Sequence, residues 1–416
     1  MLPLILPVGA LLMGVALLLL GSGLLNTLLA IRGGLEGYSD SSMGLIMSGY
    51  FVGFLIGTFL GLPIIQRIGH IRTFAFCAAL GACSVLLHAL VIHPLAWMLL
   101  RVLTGISLVI LYTVIESWLN GFTPPDQRGK VFSIYMMVNL GALAVAQQLL
   151  RLDEASAFTL FAVSAILVCL SLLPVTWTRL AQPEVSKVSK VKYADLYKAA
   201  PVAMAGALLS GLAMGAFWGL AALYARRIGL DTDNVATFIS AAVIGGAVLQ
   251  FPLGRYSDGH DRRKVLAVIC LCAALAASFL LVLSFAGKWV MLAIALYGGL
   301  AFAVYPVCVA HLSDHLDADS MLSGSSGILL LHGGGAALGP ALAGQLMAAL
   351  GPQALPLYFM VMQFLLAIFA AIHLRQRVDD PVEHPAHFMP MVRTTPTAFE
   401  MLPDEELQQQ DSPQGS

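Results

Sequence analysis

Apolar residues fill this chain in long unbroken stretches, not in the alternating or three-and-four spacing of a water-soluble fold. A helix needs about 20 apolar residues to cross a bilayer. Twelve stretches qualify, over residues 4–31, 43–65, 73–92, 95–119, 130–150, 157–177, 201–225, 235–256, 265–286, 289–312, 322–349 and 355–374. Glycine, proline and charge gather in the connections between them. Apolar runs this long lack the period-two alternation of membrane barrels. The pattern predicts an all-α integral membrane protein with 12 transmembrane helices.

Two polar stretches divide the chain. Residues 179–199 form the longest and most basic connection and separate six spans from six. The expected organisation is a six-helix bundle over 1–178, a cytoplasmic linker over 179–199 that has room for a short surface helix, and a second bundle over 200–376. The tail, 377–416, is rich in Pro, Asp, Glu and Gln, a composition that predicts disorder. The N-terminal apolar run is too long for a cleaved signal and lacks a basic flank, so it reads as a retained span.

Basic residues set the orientation. With the N-terminus inside, 16 of the 22 Lys and Arg fall in cytoplasmic segments and five in outer ones, with Arg101 inside a span. Both termini are therefore expected in the cytoplasm.

The two halves repeat. A constant shift of 193 maps Gly53 to Gly246, Gly61 to Gly254, Gly105 to Gly298, Tyr112 to Tyr305 and Gly141 to Gly334. The register holds across several loops, so the halves are parallel repeats, an arrangement that puts a substrate path between them near the midplane. On the second span Gly49, Gly53, Gly57 and Gly61 make a smooth face for close helix approach. Gly327, Gly335, Gly339 and Pro340 mark packing and bending positions on the eleventh.

Composition narrows the classes. The chain is 59% hydrophobic and 11% charged, with a net charge of −1, which gives no reason to expect nucleic acid as a partner. Its six cysteines lie in apolar runs and read as packing residues; no metal site and no cofactor is expected. Signatures of hydrolases, zinc proteases, nucleotide-binding loops and dinucleotide folds are missing, so no enzyme is expected and any coupling must come from an ion gradient.

Polar residues inside spans carry the candidate chemistry, because charge at bilayer depth needs a partner, water or a task. Glu116, the lone acidic residue inside a predicted span, reads either as a proton site or as a latch pairing with a loop cation such as Arg67 or Arg128. Arg101 opens the fourth span. It is held by neighbouring carbonyls or snorkels to the outer interface in a gating role, or else contacts a substrate anion or relays protons. Asn139 and His332 are repeat equivalents near the midplane, and Tyr112 and Tyr305 form a second symmetric pair. Asn26 and Trp218 join them as weaker cavity candidates. The alternative for all of these is helix packing and inter-helix hydrogen bonding.

With these residues in place, the sequence resembles the major facilitator superfamily, and within it the bacterial YcaD-type branch. The likeness covers residues 1 to about 375 and rests on Phe251–Val265, on Val304–His311 with Leu329–Pro340, and on the fourth-span run with the segment after it. Gly254, Asp258, Arg262 and Arg263 match the superfamily's loop signature; in the first half Gly61, Arg67, Gly69 and Arg72 remain, but the acidic position is lost. Arg101 and Gly105 fit the R-x-x-x-G pattern of the fourth span. The resemblance implies a multi-pass transporter of the bacterial cytoplasmic membrane with two bundles and alternating access. It adds Arg67, Asp258 and Arg262 to Arg101 and Glu116 as gating or proton-coupling candidates. The expected partners are a small organic solute, protons and the lipid bilayer, with the chain acting as a monomer. The leading reading is a secondary transporter, proton-coupled, with efflux favoured. Import or uniport, or a non-transporting membrane sensor or assembly partner on the same fold, are the alternatives.

Overall fold

The computed structural model describes residues 2–177, 192–283, 287–316, 318–376, 388–391, 395 and 397. Among them there is helix and turn but no strand. The helices are α1 (Leu2–Leu35), α2 (Asp40–Ile68), α3 (His70–Leu90), α4 (Pro94–Phe122), α5 (Arg128–Gln148), α6 (Phe158–Leu170), α7 (Leu172–Trp177), α8 (Tyr193–Ala199), α9 (Pro201–Arg227), α10 (Thr232–Asp258), α11 (Arg262–Leu283), α12 (Lys288–Ser313), α13 (Ala318–Leu350) and α14 (Ala354–Gln376). Among the described residues, twelve spans are long and apolar enough to cross a membrane, with α6 and α7 sharing one. α8 lies at the end of the expected linker; the linker's earlier part and most of the tail fall outside the described residues.

Short turns with local caps reverse the chain between spans. Ser39 opens α2 by accepting from the backbone N–H of Ser42 at 3.1 Å, and Asp231 opens α10 by accepting from that of Asn234 at 2.8 Å. These are the corresponding turns of the two halves, and each satisfies an otherwise orphaned helix donor. Gly69 joins α2 to α3 at φ 81°, a conformation that favours glycine. Successive spans therefore alternate between two faces. One carries Arg67, Arg128, α8, Asp258 and Arg262 and is called here the linker face. The other, the far face, carries Tyr38–Asp40, Arg151 and Arg227.

The sequence repeat is a repeat of packing. α1 packs on α5 as α9 packs on α13, α2 on α4 as α10 on α12, and α3 on α6 as α11 on α14. Glycine sets the closest of these. A Cβ on Gly53 would overlap the Val102 carbonyl, and one on Gly105 the Tyr50 carbonyl. Gly298, the repeat partner of Gly105, is held in the same way against the Ala242 carbonyl. Lipid tails are as apolar as leucine, so such close backbone contact supplies much of the helix association that burial supplies in water. Between the halves, α2 meets α13 and α5 meets α10, again related by the repeat, while α1 touches α9.

Two glycine substitutions separate packing from propensity. Gly53→Val should lower the melting temperature of the purified protein by several degrees, because overpacking a close contact costs about 1–3 kcal/mol. A Cβ on Gly141 would meet nothing within 4 Å. Gly141→Ala should therefore be neutral or raise stability by up to roughly 1 kcal/mol through helix propensity. A thermal melt of both variants in detergent checks the pair.

Candidate functional site

α2 turns its glycine face to α4, and this leaves Phe51, Phe54, Leu55 and Thr58, at helical spacing, on a different face. That face, together with Met214 and Trp218 of α9, Phe302 and Tyr305 of α12 and His332 and Ala336 of α13, lines a cavity of about 110 Å³ between the halves. Seven of its 17 lining residues carry rings. Trp218 lies 5.7 Å from Phe302 between centroids, and Tyr305 lies 4.1 Å from His332. Among the described residues, none with a permanent charge lines it.

Two polar groups of the wall are poised for a ligand. His332 Nδ1 is 3.2 Å from the Ala207 carbonyl and 3.2 Å from Ser210 Oγ. A carbonyl accepts, so Nδ1 carries the proton and Nε2 is left as an acceptor. The Tyr305 hydroxyl is buried with no partner among the described residues. Buried polar groups are nearly always bonded, so an unpartnered one in a cavity wall points to a guest or to water.

Behind the wall lies Arg101, only 1% exposed. It donates to Asn26 Oδ1 at 2.7 Å, and its guanidinium sits 4.6 Å from the centre of the Tyr50 ring. Asn26 in turn donates through Nδ2 to the Trp218 carbonyl at 2.5 Å. The cation therefore does not snorkel to the interface. An amide and a ring hold it, and the amide ties α1 to α9.

The two faces differ. At the far face the halves are joined directly. Arg227 pairs with Asp40 at 2.8 Å, the Ala341 N–H donates to Ser48 Oγ at 3.0 Å, Gln148 donates to Ser240 at 2.7 Å, and Arg151 donates to Thr237 at 2.9 Å. Gly44 and Gly344 lie against each other's helix backbone. At the linker face the C-terminal segment stands between the halves. The Phe388 N–H donates to Asp258 Oδ1 at 3.0 Å, its ring covers Gly254, and Gln250 donates to the Met391 carbonyl at 3.4 Å. Met391 lines the cavity. Thr395 then reaches Glu116 on α4 through its N–H at 3.1 Å and through its hydroxyl.

A family model of the Major Facilitator Superfamily matches residues 11–316 and 203–399. The chain belongs to that superfamily. It is 27% identical over 343 residues to an uncharacterized MFS-type transporter, YcaD, of Escherichia fergusonii, covering 82% of this chain and 89% of the relative. Among solved structures it resembles the nucleoside transporter NupG, with a TM-score of 0.73 at 13% identity over 89% of this chain and all (100%) of that one. It also resembles the D-xylose–proton symporter, with a TM-score of 0.66 at 17% identity over 88% of this chain and 96% of that one. These structures share the fold. The protein is a multi-pass bacterial membrane transporter of the secondary type, and the superfamily offers no reason to look for catalysis.

Within this superfamily frame the candidates fall into two groups. Trp218, Tyr305 and His332 line the cavity, and Asn26 and Arg101 brace it from behind. Tyr112 and Asn139 do not line it. Tyr112 is fully buried behind Phe54, 6.4 Å between ring centres, and Asn139 donates to the Tyr135 carbonyl of its own helix at 2.7 Å. Their repeat partners line it because α12 and α13 contribute to its wall, whereas among its lining residues none comes from α4 or α5.

The gating candidates divide in the same way. Glu116 is fully buried and accepts from Tyr135 at 2.9 Å and from the tail threonines; among the described residues it has no cation. The pairing with Arg67 or Arg128 is not formed, and Arg67 is exposed at the end of α2. Arg262, 4% exposed, bonds Asp258 at 3.1 Å and Asp314 at 2.6 Å, so the loop signature closes onto the end of α12. Sequence reasoning missed Asp314, Tyr135 and the aromatic lining from Tyr50 to Phe302. The i, i+3 and i+7 spacing of Phe51, Phe54 and Thr58 was the available signal for α2.

The Arg101–Asn26 bond should show as coupling in a double-mutant cycle. Arg101→Gln and Asn26→Ala, alone and together, should give an interaction energy of about 1.5–3 kcal/mol, as for a hydrogen bond to a charged group. Thermal unfolding in detergent supplies the four values, and additive losses would disprove the link.

Proposed function

We infer that the chain moves a small, moderately hydrophobic organic solute bearing an aromatic or heteroaromatic ring, by alternating access through this cavity. The ring-rich wall without permanent charge, with the unpartnered Tyr305 hydroxyl beside His332, is the observation that carries the reading. Trp218, Phe302 and Tyr305 offer faces and edges for a ring, and such contacts add about 0.5–1.5 kcal/mol each beyond area burial. His332 Nε2 accepts from a donor on the solute and the Tyr305 hydroxyl serves an acceptor. A nucleoside-like molecule, as named for NupG, is one member of this class.

The driving ion is the proton. Glu116 is buried with no cation among the described residues, it takes up or releases one proton, and it sits where the linker face must open and close. The linker face is the cytoplasmic one, because the basic residues gather there. Efflux is the favoured direction for the more lipophilic members of this class, which enter through lipid unaided, so that only their expulsion requires energy. Each chain holds a complete cavity and works as a monomer.

Proteoliposomes loaded with tritiated uridine or ethidium, with an internal pH dye, test this. At least one probe should move faster with an imposed pH gradient. Trp218→Ala and His332→Ala should each lower transport about tenfold, the loss of roughly 1.4 kcal/mol of solute contact. Glu116→Gln should remove the dependence on pH gradient while leaving downhill exchange. Wild-type behaviour in His332→Ala and Glu116→Gln together would remove both site assignments.

A further inference from the structure

Alternating access requires the linker-face ends of the two halves to approach each other, and this structure has a peptide in that space. The residues Phe388–Met391, Thr395 and Thr397 pack between the halves: Phe388 is 9% exposed, Met391 5% and Thr395 0%. They cross from α10 in the second half to α4 in the first. On α10 the contacts are the Asp258 carboxylate to the Phe388 N–H, the Gln250 amide to the Met391 carbonyl, and the bare backbone of Gly254 under the Phe388 ring. On α4 they are the four hydrogen bonds that converge on Glu116. Three come from the tail: the Thr395 N–H, the Thr395 hydroxyl and the Thr397 hydroxyl. The fourth is Tyr135. Tyr135 reaches Oε1 and the tail donors share Oε2, with the two threonine hydroxyls also 2.7 Å from each other.

The groove is shaped for this occupant. Any side chain at 254 would collide with the Phe388 ring, whereas among the described residues Gly61, its repeat equivalent, faces Ile110 and Thr113 and meets no part of the tail. Glu116 likewise has an apolar equivalent, Val309, under the repeat. The docking positions therefore break the symmetry of the two halves in the way a single peptide requires. Between them Met391 pushes an apolar thioether side chain into the cavity mouth, where a transported solute would pass.

We propose that the segment carrying Phe388–Met391, Thr395 and Thr397 is an intramolecular plug that occupies the solute path at the linker face and holds the halves apart there. Solute reaches the cavity from that face only when the plug leaves, and the halves close there only after it has left. The consequence for transport rests on the function inferred above; the occlusion itself does not.

The test is therefore built on access rather than flux. Thr58 lines the cavity. In a background with the exposed Cys83, Cys169 and Cys272 changed to serine, Thr58→Cys is labelled with a water-soluble maleimide in purified full-length protein. The same protein truncated after residue 387, and the full-length Thr395→Ala/Thr397→Ala variant, are compared. Labelling should rise about tenfold on truncation if the plug is seated nine-tenths of the time, because the rate scales with the open fraction. It should rise by a smaller factor in the double variant, which keeps the chain whole if truncation harms folding. Leu35→Cys, exposed at the far end of α1, should label at one rate in all three. Equal Thr58→Cys rates in the three proteins would overturn the plug, and so would a matching rise at Leu35→Cys, since that is general loosening. Failure of solute flux, with the labelling changes as expected, would sink the transport assignment and leave the plug standing.

Discussion

Arg101 is a cation that no environment in a protein deprotonates, placed in a helix with lipid and protein on every side. It must be satisfied where it stands, and the means of satisfying it organise the middle of the molecule. Asn26 accepts from it and passes the bond to the Trp218 carbonyl, so the charge on α4 fixes the distance between α1 and α9, the two helices facing each other across the repeat axis. The Tyr50 ring under the guanidinium is a cavity wall on its other side. One buried charge thereby positions a ring from each half.

Around this anchor the packing follows from what lipid withholds. With no bulk hydrophobic drive between helices, attraction comes from close approach, and the glycine faces of α2 and α10 allow backbones to touch. Those faces are smooth, and the same device recurs between the halves, where Gly44 and Gly344 bring α2 and α13 together. Close pairs keep the rings of the cavity in register, while the joints at α2–α13 and α5–α10 are the places where the halves meet.

The spans, their number and the doubling of the chain were legible because each is written in runs of apolar residues or in a fixed offset. Tyr305 and His332 were legible for the same reason: depth along a helix is a count of residues. Tyr112 and Asn139 share that depth but face elsewhere, because rotation about the helix axis is set by which neighbour packs tightest, and the repeat does not carry it. Arg101 was recognised as needing a partner, but the partner lies 75 positions away and no spacing connects them. The tail was hardest. Its average composition, Pro with many acidic and amide residues, predicts disorder, and that average hides a short apolar stretch, Phe388 to Met391, followed by threonines able to donate. Docking depends on these few residues and on a glycine, a glutamine and two carboxylates distributed over α4 and α10.

The far-face seal has a further property. Ser48 accepts from the Ala341 N–H, Ser240 donates to the Ala144 carbonyl at 3.0 Å, and Arg151 donates to the Asp233 carbonyl at 3.3 Å. In each of these the partner across the joint is main chain, which every substitution except proline preserves. Half of each contact is thus immune to mutation. Sequence drift on the receiving helices leaves these bonds intact, and the opposite mouth does the same for the tail, whose Phe388 and Thr395 N–H groups and Met391 carbonyl are what Asp258, Glu116 and Gln250 hold. At each entrance, the partner that lends only main chain is therefore free to change its side chains without losing the bond.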